Sequence, residues 1–207
     1  MKQIIKNTII LFVITLFAGA FLGYIYELTK APRAAQEVKA IETAYKNVYS
    51  SAASFEKYDY DSTEVTKALE IQGITIDMAE INEIVLALDE EGGLLGYVFT
   101  VTSKEGYAGN IKYTVGIRID KNITGVSFLS ISETAGLGMK AKDAEFSDQY
   151  VNKIVDSFEY TKSGAVEDNQ IDAITGATIT TNAVTNGVNA AIYCFDYITW
   201  LGGGIVE

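Results

Sequence analysis

Histidine is absent from this 207-residue chain, and cysteine, tryptophan and proline occur once each. Without histidine there is no imidazole general acid or base, no imidazole-liganded metal and no histidine-ligated haem. A lone Cys194 allows neither an internal disulfide nor a cysteine-held iron–sulfur cluster inside the chain. Any redox centre carried here must therefore be an organic cofactor. Basic residues are also few, 16 Lys and Arg against 27 Asp and Glu, for a net charge of -11. No basic stripe is available for a phosphate backbone, so nucleic acid is excluded as a partner. Internal repeats and low-complexity tracts are missing too, which leaves one domain of ordinary size with an added apolar segment.

That segment is Asn7 to Tyr26, uncharged throughout. As a helix it would be about 30 Å long, the thickness of a bilayer core. The apolar run is long for a signal peptide, and Lys30-Ala31-Pro32-Arg33 is a poor cleavage site, so an anchor is expected over a cleaved leader. Tyr24 and Tyr26 suit the interface, while lysine and arginine are too evenly divided to orient the span. Beyond Pro32, the spacing of Ala34, Val38, Ile41, Tyr45 and Val48 predicts a helix that leaves the membrane without a flexible linker.

The remainder predicts an α+β domain. Ser62 to Gln72 suggests a short helix or loop. Period-two alternation begins at Ile81 and runs to Leu88, turns at Asp89 to Gly93, and resumes through Leu95, Tyr97, Phe99 and Val101. Ile111, Tyr113, Val115, Ile117 and Ile119 form the clearest strand, and Asp120-Lys121-Asn122 turns it into Ile123 to Ser132. The expected sheet is an antiparallel meander with one face buried. A helix is expected through Phe146, Tyr150 and Ile154, and a longer one from Asn182 to Trp200, carrying Cys194 as a packing residue or a contact to a partner's cofactor. The aromatic end from Tyr193 to Trp200, followed by Ile205 and Val206, suits either core packing or a surface against the membrane or a neighbouring protein.

Two stretches stand apart. Asp172-Ala173-Ile174-Thr175-Gly176-Ala177-Thr178-Ile179-Thr180-Thr181 gathers hydroxyls at or just before a predicted helix start, with Thr180, Thr181 or Asn182 as the expected cap. A helix N-terminus presents free N–H groups to an anion, and Gly176 and Ala177 leave the approach uncrowded. The same residues equally make a plain capping turn; without a lysine they are no P-loop. Glu133-Thr134-Ala135-Gly136-Leu137-Gly138, at the end of the last predicted strand, sets two glycines about one leucine, which suits close approach to a planar ring with Leu137 as an apolar cover, as well as an ordinary connection.

Asp172 to Thr178 resembles the D-x-x-S/T-G-A-T signature of the flavin-binding domain in the G subunit of Rnf electron-transport complexes and in the C subunit of sodium-pumping NADH:quinone reductases. Glu133 to Gly138 resembles that family's E-T-P-G-L-G loop, with Ala135 where proline is usual. The likeness spans about Ala34 to Trp200. It implies FMN joined by a phosphoester to Thr178, with Glu133, Thr134, Gly136, Leu137, Gly138, Thr175, Gly176, Ala177, Ile179 and Thr180 about the cofactor. No catalytic residue and no metal site is implied. It further implies a flavin transferase for maturation, membrane and iron–sulfur subunits as partners, a cytoplasmic N-terminus and a main domain outside the cell membrane. The expected parts are a cytoplasmic end (1–6), a transmembrane helix (7–26), a juxtamembrane helix (27–60), the FMN-binding domain (61–200) and a tail (201–207). The implied function is electron relay within a ferredoxin:NAD+ oxidoreductase that moves Na+ or H+. The chain is short for the quinone-reductase relative, which remains an alternative beside a non-redox membrane scaffold or sensing module.

Overall fold

A computed structural model describes residues 1–201, with side chains for all of these except 31, 32, 34, 35 and 201. The chain divides into two units, Met1–Ile41 and Glu42–Glu207. In the first, helix α1 (Lys2–Val48, which runs on into the second unit) contains the stretch Lys2–Lys30, long and apolar enough to cross a membrane and with none of it buried.

The second unit is α+β, as the pattern predicts. Five strands form an antiparallel meander in the order β1 (Ser54–Lys57), β2 (Ala79–Leu88), β3 (Leu94–Ser103), β4 (Ile111–Arg118) and β5 (Ile123–Ser130). In β4 the predicted alternation appears as Ile111, Tyr113, Val115 and Ile117, all fully buried. Ile119, expected in the same strand, falls in the following turn and is exposed. Helix α2 (Ser62–Ile71) is capped by Asp61, whose carboxylate accepts the Thr63 and Glu64 N–H groups.

The long helix α4 (Thr178–Asp196) lies on the Tyr113 face of the sheet. Tyr113 donates to Val184 O at 2.7 Å, and Tyr150 shares a 2.9 Å hydrogen bond with Thr185. Burial holds both phenols well above their ordinary pKa, so they stay neutral beneath the helix. Asn189 pairs with both the N–H and the carbonyl of Phe158.

Several expectations need correction. One sheet face was expected to be buried, yet the last turns of α1 cover the other, with Ala44, Tyr45, Val48 and Tyr49 buried. Glycines make this possible: a Cβ on Gly116 would lie 2.8 Å from Val48 O, one on Gly125 2.9 Å from Val48 Cα, and one on Gly96 2.8 Å from the Tyr49 hydroxyl. Tyr45 donates to Glu83 at 2.8 Å on the same face. The segment 27–60 is therefore helical only to Val48, and then supplies β1 at the sheet edge. The helix expected through Ile154 is instead a succession of short turns: a 3-10 turn at Gly138–Lys142, helix α3 (Ala144–Ser147) and a further 3-10 turn at Asp148–Tyr150. Phe146 and Tyr150 pack edge to face, whereas Ile154 is exposed. A short parallel pair, β6 (Glu159–Thr161) and β7 (Gln170–Asp172), had no period to announce it. At the C-terminal end Tyr193 and Tyr197 pack against the core while Trp200 is exposed; Ile205 and Val206 lie outside the described residues.

Candidate functional site

Both singled-out stretches fold as the same local structure. In Thr134-Ala135-Gly136-Leu137 the Leu137 N–H donates to Thr134 O at 3.1 Å, with Gly136 at φ 77°. In Ile174-Thr175-Gly176-Ala177 the Ala177 N–H donates to Ile174 O at 2.9 Å, with Gly176 at φ 78°. A four-residue turn with a positive φ at its third residue is type II, which glycine adopts without steric cost. β5 leads into the first turn and β7 into the second.

The second turn starts α4 earlier than the sequence suggests. Ala177, not Thr180, Thr181 or Asn182, stands at the N-cap position, and no side chain caps it. The reason is Thr181. Its hydroxyl donates to Ala177 O and accepts the Ile174 N–H, both at 3.0 Å, so it clasps the preceding turn. Thr178, Ile179 and Thr180 consequently occupy the first helical turn, where backbone N–H groups lack intrahelical acceptors and the helix dipole is positive.

The two turns meet at a cleft of about 590 Å³ lined by Tyr107, Glu133, Thr134, Leu137, Gly138, Gly176, Ala177, Thr178, Ile179 and Thr180. Nine of the expected residues thus come together. Two do not line it: Gly136 shapes the first turn, and Thr175 faces a smaller neighbouring pocket with Lys140, Gln149 and Asp172. Thr178 is half-buried, Thr180 buried, and Leu137 and Ile179 are exposed at the rim.

Tyr107 was missed. It sits in the loop between β3 and β4, and its signal was an aromatic residue between glycines, Gly106-Tyr107-Ala108-Gly109. Asp172, the first residue of the motif, turns away from the cleft. Its carboxylate accepts the Ala165 N–H at 2.6 Å and its N–H donates to Gln149 at 2.7 Å, which secures the loop before β7. Among the described residues no cluster of His, Cys, Asp and Glu could hold a metal ion.

The cleft fits FMN by its construction. Its volume is that of a small-molecule site, it is lined by the apolar side chains of Tyr107, Leu137 and Ile179, and two of its hydroxyl residues, Thr178 and Thr180, stand in the first turn of α4.

Residues 106–193 match the model of the FMN-binding domain family. The chain is 22% identical to the C subunit of the Na(+)-translocating NADH-quinone reductase of Parabacteroides distasonis, with a TM-score of 0.47, covering 79% of this chain and 83% of that one. It is 31% identical over 202 residues to the G subunit of the ion-translocating oxidoreductase complex of Methanosarcina acetivorans, covering 96% of each. It is 30% identical over 205 residues to the G subunit of the Na(+)-translocating ferredoxin:NAD(+) oxidoreductase complex of Acetobacterium woodii, covering 96% of this chain and 94% of that protein. With such identity sustained along almost the whole of both relatives, the chain belongs to the family of G subunits of ion-translocating oxidoreductase complexes.

Proposed function

We propose that this protein is the FMN-carrying electron-relay subunit of a membrane-bound ferredoxin:NAD+ oxidoreductase complex that couples electron transfer to Na+ or H+ translocation, with the flavin held by a phosphoester to Thr178. The observation that carries the proposal is the meeting of the two type II turns at one cleft, with the Thr178 hydroxyl in the first turn of a helix. When bound, FMN supplies a two-electron acceptor that also passes electrons singly.

The chain's own residues position and shield that group. The first-turn N–H groups of α4 favour the phosphate, and Gly176, lacking a side chain, lets it approach. Leu137, Ile179 and Tyr107 offer apolar surface to the ring. Thr134 and Thr180 offer hydroxyls; Thr175, Gly136, Gly138 and Ala177 shape the two turns and their junction. Glu133 belongs to the cleft wall. In this reading the chain relays electrons as one subunit, and the oxidoreductase activity belongs to the complex.

The apolar helix, long enough to cross a membrane, and the membership in this family together support a membrane-anchored protein. In the proposed arrangement Asn7 to Tyr26 cross the cell membrane once, the N-terminus is cytoplasmic and residues beyond Pro32 are outside. Maturation requires a flavin transferase, and the electron partners are membrane and iron–sulfur subunits of the same complex.

The test is mass spectrometry of the tryptic peptide that begins at Ser163, isolated from chain co-expressed with a flavin transferase. An FMN-phosphoester mass on Thr178, lost in a folded Thr178→Ala variant, is expected. Flavin on Thr175, Thr180 or Thr181, or none at all, would overturn the assignment.

A further inference from the structure

The two loops that wall the cleft are joined through one carboxylate. Glu133 is only 7% exposed, and its Oε1 accepts the Ala108 N–H at 3.2 Å. Glycine faces this group from both loops. A Cβ on Gly106 would lie 2.9 Å from Oε1, and one on Gly138 would lie 2.7 Å from Oε2 and 2.5 Å from Thr180 Oγ1. The carboxylate therefore fills space between the β3–β4 loop, the loop after β5 and the first turn of α4, space that a side chain on either glycine would take.

The β3–β4 loop has a second tether, since Glu105 accepts from the Asn186 amide of α4 at 2.7 Å. Tyr107 lies between the two tethers. It is 71% exposed, so little packing of its own fixes it, yet it lines the cleft. The backbone on either side must set where its ring stands. A carboxylate oxygen accepts hydrogen bonds, and here one is committed to a backbone donor of that loop.

We propose that Glu133 is a positioning residue, which holds Tyr107 at the wall of the cleft by accepting the Ala108 N–H and makes no bond of its own to the cofactor. This rests on the cleft being the flavin site. Loss of the tether leaves the loop free to swing, while a glutamine, whose carbonyl can take the same N–H, keeps it in place.

Two measurements on the full-length chain in detergent test this. In flavin-free chain, Glu133→Ala should speed hydrogen exchange across 104–110 by about fivefold or more, as loss of a net-stabilising hydrogen bond to the loop backbone implies. Glu133→Gln should exchange near the parent rate. In flavin-loaded chain, flavin fluorescence should rise in Glu133→Ala and in Tyr107→Ala, and the double variant should add nothing to Tyr107→Ala. Unchanged exchange, or additive fluorescence changes, would overturn the proposal. If Glu133→Ala does not fold, Glu133→Asp withdraws the carboxylate by one methylene and must loosen the same segment, or the proposal fails. A parent chain that takes up no flavin would count against the functional assignment alone, because the exchange measurement decides the tether without flavin.

Discussion

Leu137 stands against Gly176: its Cδ2 lies 3.1 Å from where a Cβ on Gly176 would be. These two residues, 39 positions apart, put the type II turn after β5 in contact with the one before α4. Leu137 is thereby held beside the first helical turn, although 41% of it is exposed. An exposed leucine is unremarkable alone. One seated on a glycine at the mouth of a cleft forms part of its wall.

Gly176→Ala should disturb this contact in two ways. Alanine at φ 78° is strained by about 1–2 kcal/mol, and its methyl group would press on Leu137. We expect lower thermal stability and, in flavin-loaded chain, an altered visible spectrum. Leu137→Ala made in the same background should relieve part of the stability loss; full additivity would mean that the two side chains do not meet.

Ala135→Pro should act in the opposite direction. Ala135 occupies the second position of its type II turn, where proline's fixed φ is favoured, and it is exposed. Proline in a compatible site stabilises by about 0.4–1 kcal/mol, mainly by restricting the unfolded chain. Denaturant unfolding of both proteins would measure it. A destabilised variant would show that the Ala135 N–H has a partner or that its φ is unsuited to the ring.

The sheet was legible because period-two alternation in β3 and β4 places every second side chain against α4. The cleft was legible through its glycines and hydroxyls, which mark turns. The contributions of Thr181, Glu133 and the end of α1 were not. Each depends on contacts between residues distant in sequence: Thr181 clasps a turn seven residues back, Glu133 reaches a loop 25 residues away, and Val48 settles on glycines of β4 and β5. Nothing in the strand pattern about Gly116 and Gly125 announces that they let a helix backbone approach the sheet. The start of α4 was misplaced because a threonine hydroxyl that caps in most sequences here bonds backward.

Cys194 should be silent to thiol reagents in the folded chain. It is fully buried, and burial pushes its thiol up to about 12, so at pH 8 it remains protonated as well as inaccessible. An alkylating reagent should label it only after denaturation. This makes Ile119→Cys, at an exposed position, a clean topological reporter. Labelling of intact cells by a membrane-impermeant maleimide is expected if the domain is extracytoplasmic; protection until lysis, with the site accessible in the isolated complex, would reverse the orientation.

The last prediction concerns how α4 is held at the height that brings Thr178 to the cleft. Tyr113 passes its hydroxyl to Val184 O across the opening left by Gly187, where an added Cβ would overlap the phenol oxygen. Gly187→Ala should therefore cost about 1–3 kcal/mol, the usual range for forcing extra volume into a packed core. It gains helix propensity of about 1 kcal/mol, which offsets part of this. Tyr113→Phe alone should cost about 1 kcal/mol through the lost hydrogen bond, while Val184 O keeps its place in the helix ladder. Removing the hydroxyl also removes the atom that the new methyl group strikes, so the double variant should be less destabilised than the sum of the two single ones. Denaturant titrations of the four proteins close the cycle. Strict additivity would mean that helix and sheet separate on substitution, and flavin occupancy at Thr178 should then fall with the stability of Gly187→Ala.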